Sequence, residues 1–465
     1  MLSRFIEHTR CPEPLVERCL AADRNKTQGR DWSSGELTRG SKHSAVRQHA
    51  DHNLQASIQS FLKCETDCSL PLNLTEMIDY LRFERYIDNA IQGNHYNVAK
   101  STARKVYYLL RPLFPVAFRK HLQRIALKGW EKKTFPAWPV DFSVEDIFEK
   151  TLQHILQTLD LPELPFIWYW PDGHSSCCIM THDVETRAGR DFCGTIMKME
   201  AQCGLGSAFE LVPEQRYEVP MELIHQIREN GCEVCIHGLN HDGNLFSSES
   251  VFFERVKKIN EYAERWTAIG FRSPVLYRNL DWFDALRVSY DMSVPNVGHL
   301  DPQPGGCCTV MPYFIGGILD LPLTTIRDYP LYHILKQRSL DLWKDQTERI
   351  LGRHGLLSFI IHPDYTTAQW STRLYQSLLE YLTELRGNRG LWIALPREVD
   401  TWWRNRHDME LMNENGQWRI RGPQAERARV AYVSLEDGRV VYKVDKTKGS
   451  GCFVTASPQR ISESW

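Results

Sequence analysis

A chain of 465 residues, 42% apolar and 25% charged, has the composition of an ordinary globular protein and is long enough to bury a large core without disulfide or metal staples. Its formal net charge of −2 excludes a strongly basic nucleic-acid binder and an acidic halophile. The thirteen cysteines are odd in number and lack the spacing of a secreted disulfide framework.

Residues 1–55 are polar and weakly periodic, and read as a partly disordered arm. The first residues lack the apolar run of a signal peptide, and no uninterrupted apolar stretch reaches the ~18–20 residues of a membrane span. A cytoplasmic protein with reduced thiols is therefore expected. Residues 56–170 read as a basic helical region followed by a connector. Between Lys100 and Lys133, ten Lys or Arg stand against one acid, Glu131, with Tyr107, Tyr108, Phe114, Phe118 and Trp130 interleaved. Such a surface is either the solvated face of helices packed on the main domain or a peripheral contact for anionic lipid or a phosphate-linked glycan. Pro112 and Pro115 limit it to short helices. Phe135-Pro-Ala-Trp-Pro139 marks the connector, and residues 144–159 read as a helix.

From 171 to 407 strand-like and helical runs alternate. Strands are expected at 177–182, 207–212, 233–237, 269–272, 291–295, 318–323, 356–361 and 391–394. Helices are expected at 220–229, 248–267, 281–288, 337–353, 371–386 and 396–405. Such alternation predicts an α/β fold whose parallel sheet is covered by helices, a closed or partly open (β/α) barrel. Burial accounts for Cys177-Cys178 and for Cys232-Glu-Val-Cys235. A redox pair and a zinc-ligand pair are the competing readings of Cys232 and Cys235. Trp402-Trp403 reads as packing for the last helix. Residues 408–465 read as a small antiparallel β appendage and tail, with Glu436-Asp437-Gly438 as a hairpin turn.

Reactive side chains of a (β/α) barrel gather at the C-terminal ends of its strands. Several polar residues fall there. Asp183 and Glu185 follow the first strand in Thr-His-Asp-Val-Glu (181–185), and period-two geometry sends both to one side. His237 closes a later strand and His241 follows four residues on, a spacing at which two imidazoles can face one point from a helical turn. Arg272 lies in Phe-Arg-Ser-Pro and His362 in Ile-Ile-His-Pro-Asp. Two imidazoles and a carboxylate can hold a divalent cation with room for water, the donor set of a hydrolase.

Taken in order, Thr-x-Asp-x-acid, His-x-x-x-His, Arg-x-Pro and a late Leu-x-x-x-x-His-Pro resemble the polysaccharide deacetylase (NodB-homology) family, carbohydrate esterase family four, over roughly 177–400. The resemblance implies a distorted (β/α)7-type barrel, a divalent metal, most commonly zinc, and removal of acetyl groups from N-acetylated sugars. It also implies Asp183 as general base, Glu185, His237 and His241 as metal ligands, Arg272 as the partner of the base, and His362 as general acid. Two features depart from the commonest family spelling: Val184 separates the acids, and the second acid is Glu. Either Asp183 or Glu185 can therefore be the carboxylate ligand. Asp364 or another acid would orient His362, Asp242 would support a ligand histidine, and Tyr290-Asp-Met-Ser-Val-Pro-Asn (290–296) would line the substrate. The rival functions are hydrolysis of a cyclic amide on the same barrel and glycan binding without catalysis.

Overall fold

In the computed structural model, residues 2–27, 54–64, 70, 71, 73–87, 127 and 129–445 are described. The strands are β1 (Leu164–Ile167), β2 (Ser176–Val184), β3 (Ala208–Leu211), β4 (Glu233–His237), β5 (Gly270–Arg272), β6 (Tyr290–Asp291), β7 (Tyr313–Ile315), β8 (Ile318–Asp320), β9 (Leu356–Ile360), β10 (Leu391–Ile393), β11 (Glu410–Glu414), β12 (Gln417–Arg421), β13 (Val430–Glu436) and β14 (Arg439–Val444). Seven run parallel in the order β9-β2-β3-β4-β5-β6-β8, the staves of a curled barrel. β10 pairs with the start of β2, and β7 lies antiparallel on the outer edge of β8. The α/β barrel expected from the alternation is thus present.

No ladder joins β8 to β9. Threonine hydroxyls bridge that seam instead: Thr324 donates to the Leu356 carbonyl and accepts from the Ser358 N–H, and Thr325 donates to the Ser358 carbonyl. This substitution of side chains for backbone pairing is what makes the barrel distorted.

Strand alternation sorts β2 between two layers. Cys177 and Ile179 face the interior with Ala208, Cys235, Tyr290 and Leu319, while Cys178, Met180 and Val184 pack outward against the helices. Farther along the inner face come Thr181 and Asp183, so the interior changes from apolar at the base to polar at the rim. Cys232 and Cys235 fall in different layers, which removes the redox-pair and zinc-pair readings and leaves burial. Trp402 and Trp403 belong to helix Pro396–His407 and are both buried, as packing requires.

Several elements differ from expectation. Helix Arg187–Gln202 was not foreseen, although Thr186 caps it and Cys193, Ile196 and Met197 form its buried stripe. The expected helix at 281–288 is a short 3-10 turn, Leu280–Ala285. Residues 1–55 are not an arm in their described part: helices Ser3–Thr9 and Glu13–Thr27 bury Phe5, Val16 and Cys19. With residues 54–63 and helices Leu74–Arg82 and Ser143–Thr158, they cover the base of the barrel. Glu436-Asp437-Gly438 does make the hairpin turn, with Asp437 and Gly438 at φ +49 and +75. In this C-terminal segment β13 also pairs with β1, a strand that precedes the barrel.

The basic stretch from Lys100 onward lies outside the described residues as far as 126. Its end docks on the barrel: Trp130 packs against Trp138, and Lys133 Nζ donates to the His299 carbonyl. Among the described residues no helix is long and apolar enough to cross a membrane. Ten described cysteines are thiols, but Cys64 is disulfide-bonded, contrary to the expectation of a fully reduced chain.

Candidate active site

Neighbouring staves carry the polar residues to one end of the barrel. Asp183 on β2 stands in register with Glu210 on β3, and His237 on β4 in register with Arg272 on β5. His362 follows β9 on the other flank of β2. Every sequence-predicted site residue is therefore brought to the same rim.

Arg272 is buried beneath the site, with its Nε donating to the Met292 carbonyl. Its Nη1 reaches Asp183 Oδ1 at 2.7 Å and Thr181 Oγ1 at 2.8 Å, and lies 3.5 Å from Glu210 Oε2. Burial alone would raise the Asp183 carboxyl; Arg272, with His237 and His362, overcomes it and holds the group well below the usual carboxylate range. Glu210 answers the other way. Burial and the charge of Asp183 push it up to about 7 in spite of Arg272.

The two histidines do not converge from a helix, as their spacing suggested. His237 ends β4, and the chain reverses through Gly238 at φ +61 to His241 at φ +54, setting the rings 4.9 Å apart. Gly238 is obligatory: a Cβ there would lie 2.5 Å from the Pro274 ring. His237 Nδ1 lies 3.1 Å from the Arg272 carbonyl, which can only accept, so Nδ1 carries the proton and Nε2 is left with its lone pair. Burial, aided by neighbouring His241, lowers the His237 imidazole to about 4 and keeps it neutral at pH 7.

Glu185 lies just beyond β2 with its side chain 21% exposed. Its Oε1 is 3.0 Å from His241 Nε2 and 3.5 Å from His362 Nε2. Donor atoms of Glu185, His237 and His241 all lie within 4.8 Å of one another. His237 Nε2 and His241 Nδ1 are buried without a hydrogen-bond partner. Buried orphan nitrogens around one carboxylate are costly unless a ligand satisfies them. This donor set fits a divalent cation such as zinc. Asp183 approaches the same space less closely, with Oδ2 3.7 Å from His237 Nε2, and its Oδ1 is engaged by Arg272.

His362 is oriented by Asp328, not by Asp364. Asp328 Oδ1 accepts from His362 Nδ1 at 2.6 Å, and Oδ2 accepts from the His362 backbone N–H at 2.7 Å. Burial works against protonation of His362, but Asp328 and Glu185 outweigh it and raise the imidazole well above its ordinary range. Nε2–H then points at the site, 3.9 Å from Asp183 Oδ2. Asp364 instead accepts from the Thr186 hydroxyl and the Glu185 backbone N–H, holding the turn that carries Glu185. Asp242 binds Arg255 through two 2.7 Å contacts and supports neither histidine. In the 290–296 run, Asp291 accepts from Ser293, and Asn296 ties Asp141 to Thr309. These contacts brace the strand rather than face a substrate.

Sequence reasoning missed Asp328 and Glu210. Asp328 stands 34 residues from the histidine it serves, with no local pattern to betray it. Glu210 did leave a trace, a lone acid within the apolar run Ala208-Phe-Glu-Leu.

No family profile and no curated protein matches the sequence. Among solved structures, the chain is similar to a Mycobacterium smegmatis protein described as a polysaccharide deacetylase (16% identity, 51% of this chain and 93% of that one, TM-score 0.41). It is also similar to Puue allantoinase (13%, 50% and 92%, TM-score 0.41). The peptidoglycan deacetylase PdaC of Bacillus subtilis also matches (12%, 50% and 93%, TM-score 0.32). At such identities the likeness is one of fold and separates none of these activities.

Proposed function

We propose that this chain is a metal-dependent hydrolase that removes the acetyl group from an N-acetylated sugar of a polysaccharide or glycan precursor. The observation that carries the reading is the convergence of Glu185, His237 and His241 donors within 4.8 Å of one another, flanked by the Asp183–Arg272 and Asp328–His362 pairs. The sugar amide as substrate rests on the order and spacing of the four motifs.

Glu185, His237 and His241 would hold the cation, which when bound polarises an amide carbonyl and lowers the pKa of a coordinated water toward ~7. Asp183, kept ionised by Arg272, takes the proton of the attacking water on Oδ2, the oxygen Arg272 leaves open. Arg272 cannot itself deprotonate and so acts by position and charge. The amine leaves well only when protonated, and His362 Nε2–H, backed by Asp328, supplies that proton. Asp183 and His362 are thus an acid–base couple pushed in opposite directions by their surroundings. Nucleotide-linked and lipid-linked saccharides are substrates that offer this amide.

The test is acetate release by the purified zinc-loaded chain from acetylated glucosamine oligomers, run beside a panel of cyclic amides. Turnover on the oligomers, lost with chelator and in His237→Ala, is expected. Turnover on cyclic amides alone would reassign the substrate, and turnover indifferent to both chelator and His237→Ala would defeat the metal site.

A further inference from the structure

Helix Glu13–Thr27 sets Cys19 and Asp23 one turn apart, so both project from one face. That face meets helix Ser143–Thr158 at His154. His154 Nε2 lies 2.9 Å from Asp23 Oδ2 and 3.1 Å from Oδ1. The Cys19 sulfur closes a triangle in which all three donor atoms are within 4.8 Å of one another. Cys19 is fully buried, while the side chains of His154 and Asp23 are 16% and 10% exposed. Asp23 Oδ2 also accepts from the backbone N–H of Leu70, and the Thr158 hydroxyl stands 3.1 Å from His154 Nε2. The cluster therefore joins three segments far apart in sequence, and none of its members belongs to the barrel rim.

We propose that Cys19, Asp23 and His154 form a second, structural zinc site that clamps helix Glu13–Thr27 to helix Ser143–Thr158 beneath the barrel. The competing arrangement is an Asp23–His154 ion pair beside a buried thiol. A thiol offers such a pair only a weak S–H donor. A thiolate, an imidazole and a carboxylate converging on one point are instead three zinc donors of different softness. The thiol and imidazole select against magnesium and calcium, which take oxygen. The fourth tetrahedral position falls to water, which the partial exposure of His154 and Asp23 admits. Binding exchanges the Cys19 thiol proton for the metal and releases that proton to solvent, with no change of oxidation state.

The proposal stands independently of the rim site, because the rim donors Glu185, His237 and His241 include no thiolate. Full-length protein loaded with cobalt(II) in place of zinc should show a near-ultraviolet thiolate-to-cobalt charge-transfer band, which Glu185, His237 and His241 cannot produce. The band should persist in His237→Ala, vanish in Cys19→Ser and weaken in His154→Gln. Zinc content should fall by about one ion per chain in Cys19→Ser, from about two in the unmodified protein. Cobalt-loaded unmodified protein without the band would overturn the proposal, as would a band that survives Cys19→Ser. Loss of the rim ion with the band retained would overturn only the rim site.

Discussion

Arg272 donates to Asp183 at 2.7 Å and stands 3.5 Å from Glu210, so one buried guanidinium serves two carboxylates. Asp183, two residues from Glu185, is claimed by Arg272 on one oxygen, while Glu185 faces His241 and His362. From this division, Asp183→Asn should cut kcat by about 10²–10⁴-fold and leave the bound metal in place. Glu185→Ala should lose metal and activity together. Metal analysis beside steady-state kinetics separates the two, and loss of metal in Asp183→Asn would exchange their roles. Asp328→Asn makes a different claim. His362 must be protonated to act as acid, and Asp328 and Glu185 raise the pKa of its imidazole well above the ordinary range against the pull of burial. Activity is therefore present below that pKa and lost as pH rises through it. Weakening the Asp328 carboxylate lowers the folded pKa, so the alkaline limb of the kcat profile should move to lower pH; an unmoved limb would remove His362 as the acid. His237, Arg272 and His362 were legible because each follows an apolar strand run. Asp328 was not, since only the closed barrel brings it to His362.

At the level of elements, His237 and His241 owe their convergence to a turn and not to a helix. Gly238 lets the turn approach Pro274, and His241 accepts a left-handed φ to point back. Gly238→Ala should therefore displace both imidazoles and lower zinc affinity by at least tenfold while the fold persists, read by metal competition and circular dichroism. Unchanged affinity would mean that the turn tolerates a Cβ despite the 2.5 Å approach. The strands β2, β4 and β9 were readable because their buried residues run continuously. β6 was overread, because the expected 291–295 narrows to Tyr290–Asp291 and continues only as a bridge from Pro295 to Leu323. Helix Arg187–Gln202 was passed over although Thr186 accepts from Gly189 as a cap, because its apolar stripe is thin and interrupted by Lys198 and Glu200. Glu200 is itself a buried partner of His182, Ser207 and Tyr375, so a charge that argued against burial is satisfied by tertiary contacts.

Across the whole molecule, the barrel rests on helices that a sequence reading treats as peripheral. Arg406, from the last barrel helix, donates to the carbonyls of His8, Ile167 and Trp168, joining the first helix and β1 to the barrel. Those contacts span 238 to 398 residues of chain, and no periodicity encodes them. Glu145 makes the corresponding joint on helix Ser143–Thr158, where its Oε1 accepts from the Thr309 hydroxyl and the Val310 N–H. Burial pushes this carboxyl up to about 7 from 4.5, against the pull of Thr309 and Arg82. The folded chain thus holds the Glu145 proton more tightly than the unfolded one. Its contribution to stability is complete below about pH 4.5 and is lost as pH rises through about 7. The loss is of order 3 kcal/mol, from 1.36 kcal/mol per pKa unit. Glu145→Gln keeps an acceptor oxygen for Thr309 and Val310 but cannot ionise, so its stability should vary less between pH 5 and pH 8. Urea midpoints at the two pH values measure this directly: the variant should gain on the unmodified protein at pH 8. Parallel pH profiles for the two proteins would mean that Glu145 reaches solvent and that helix Ser143–Thr158 does not seal the barrel base.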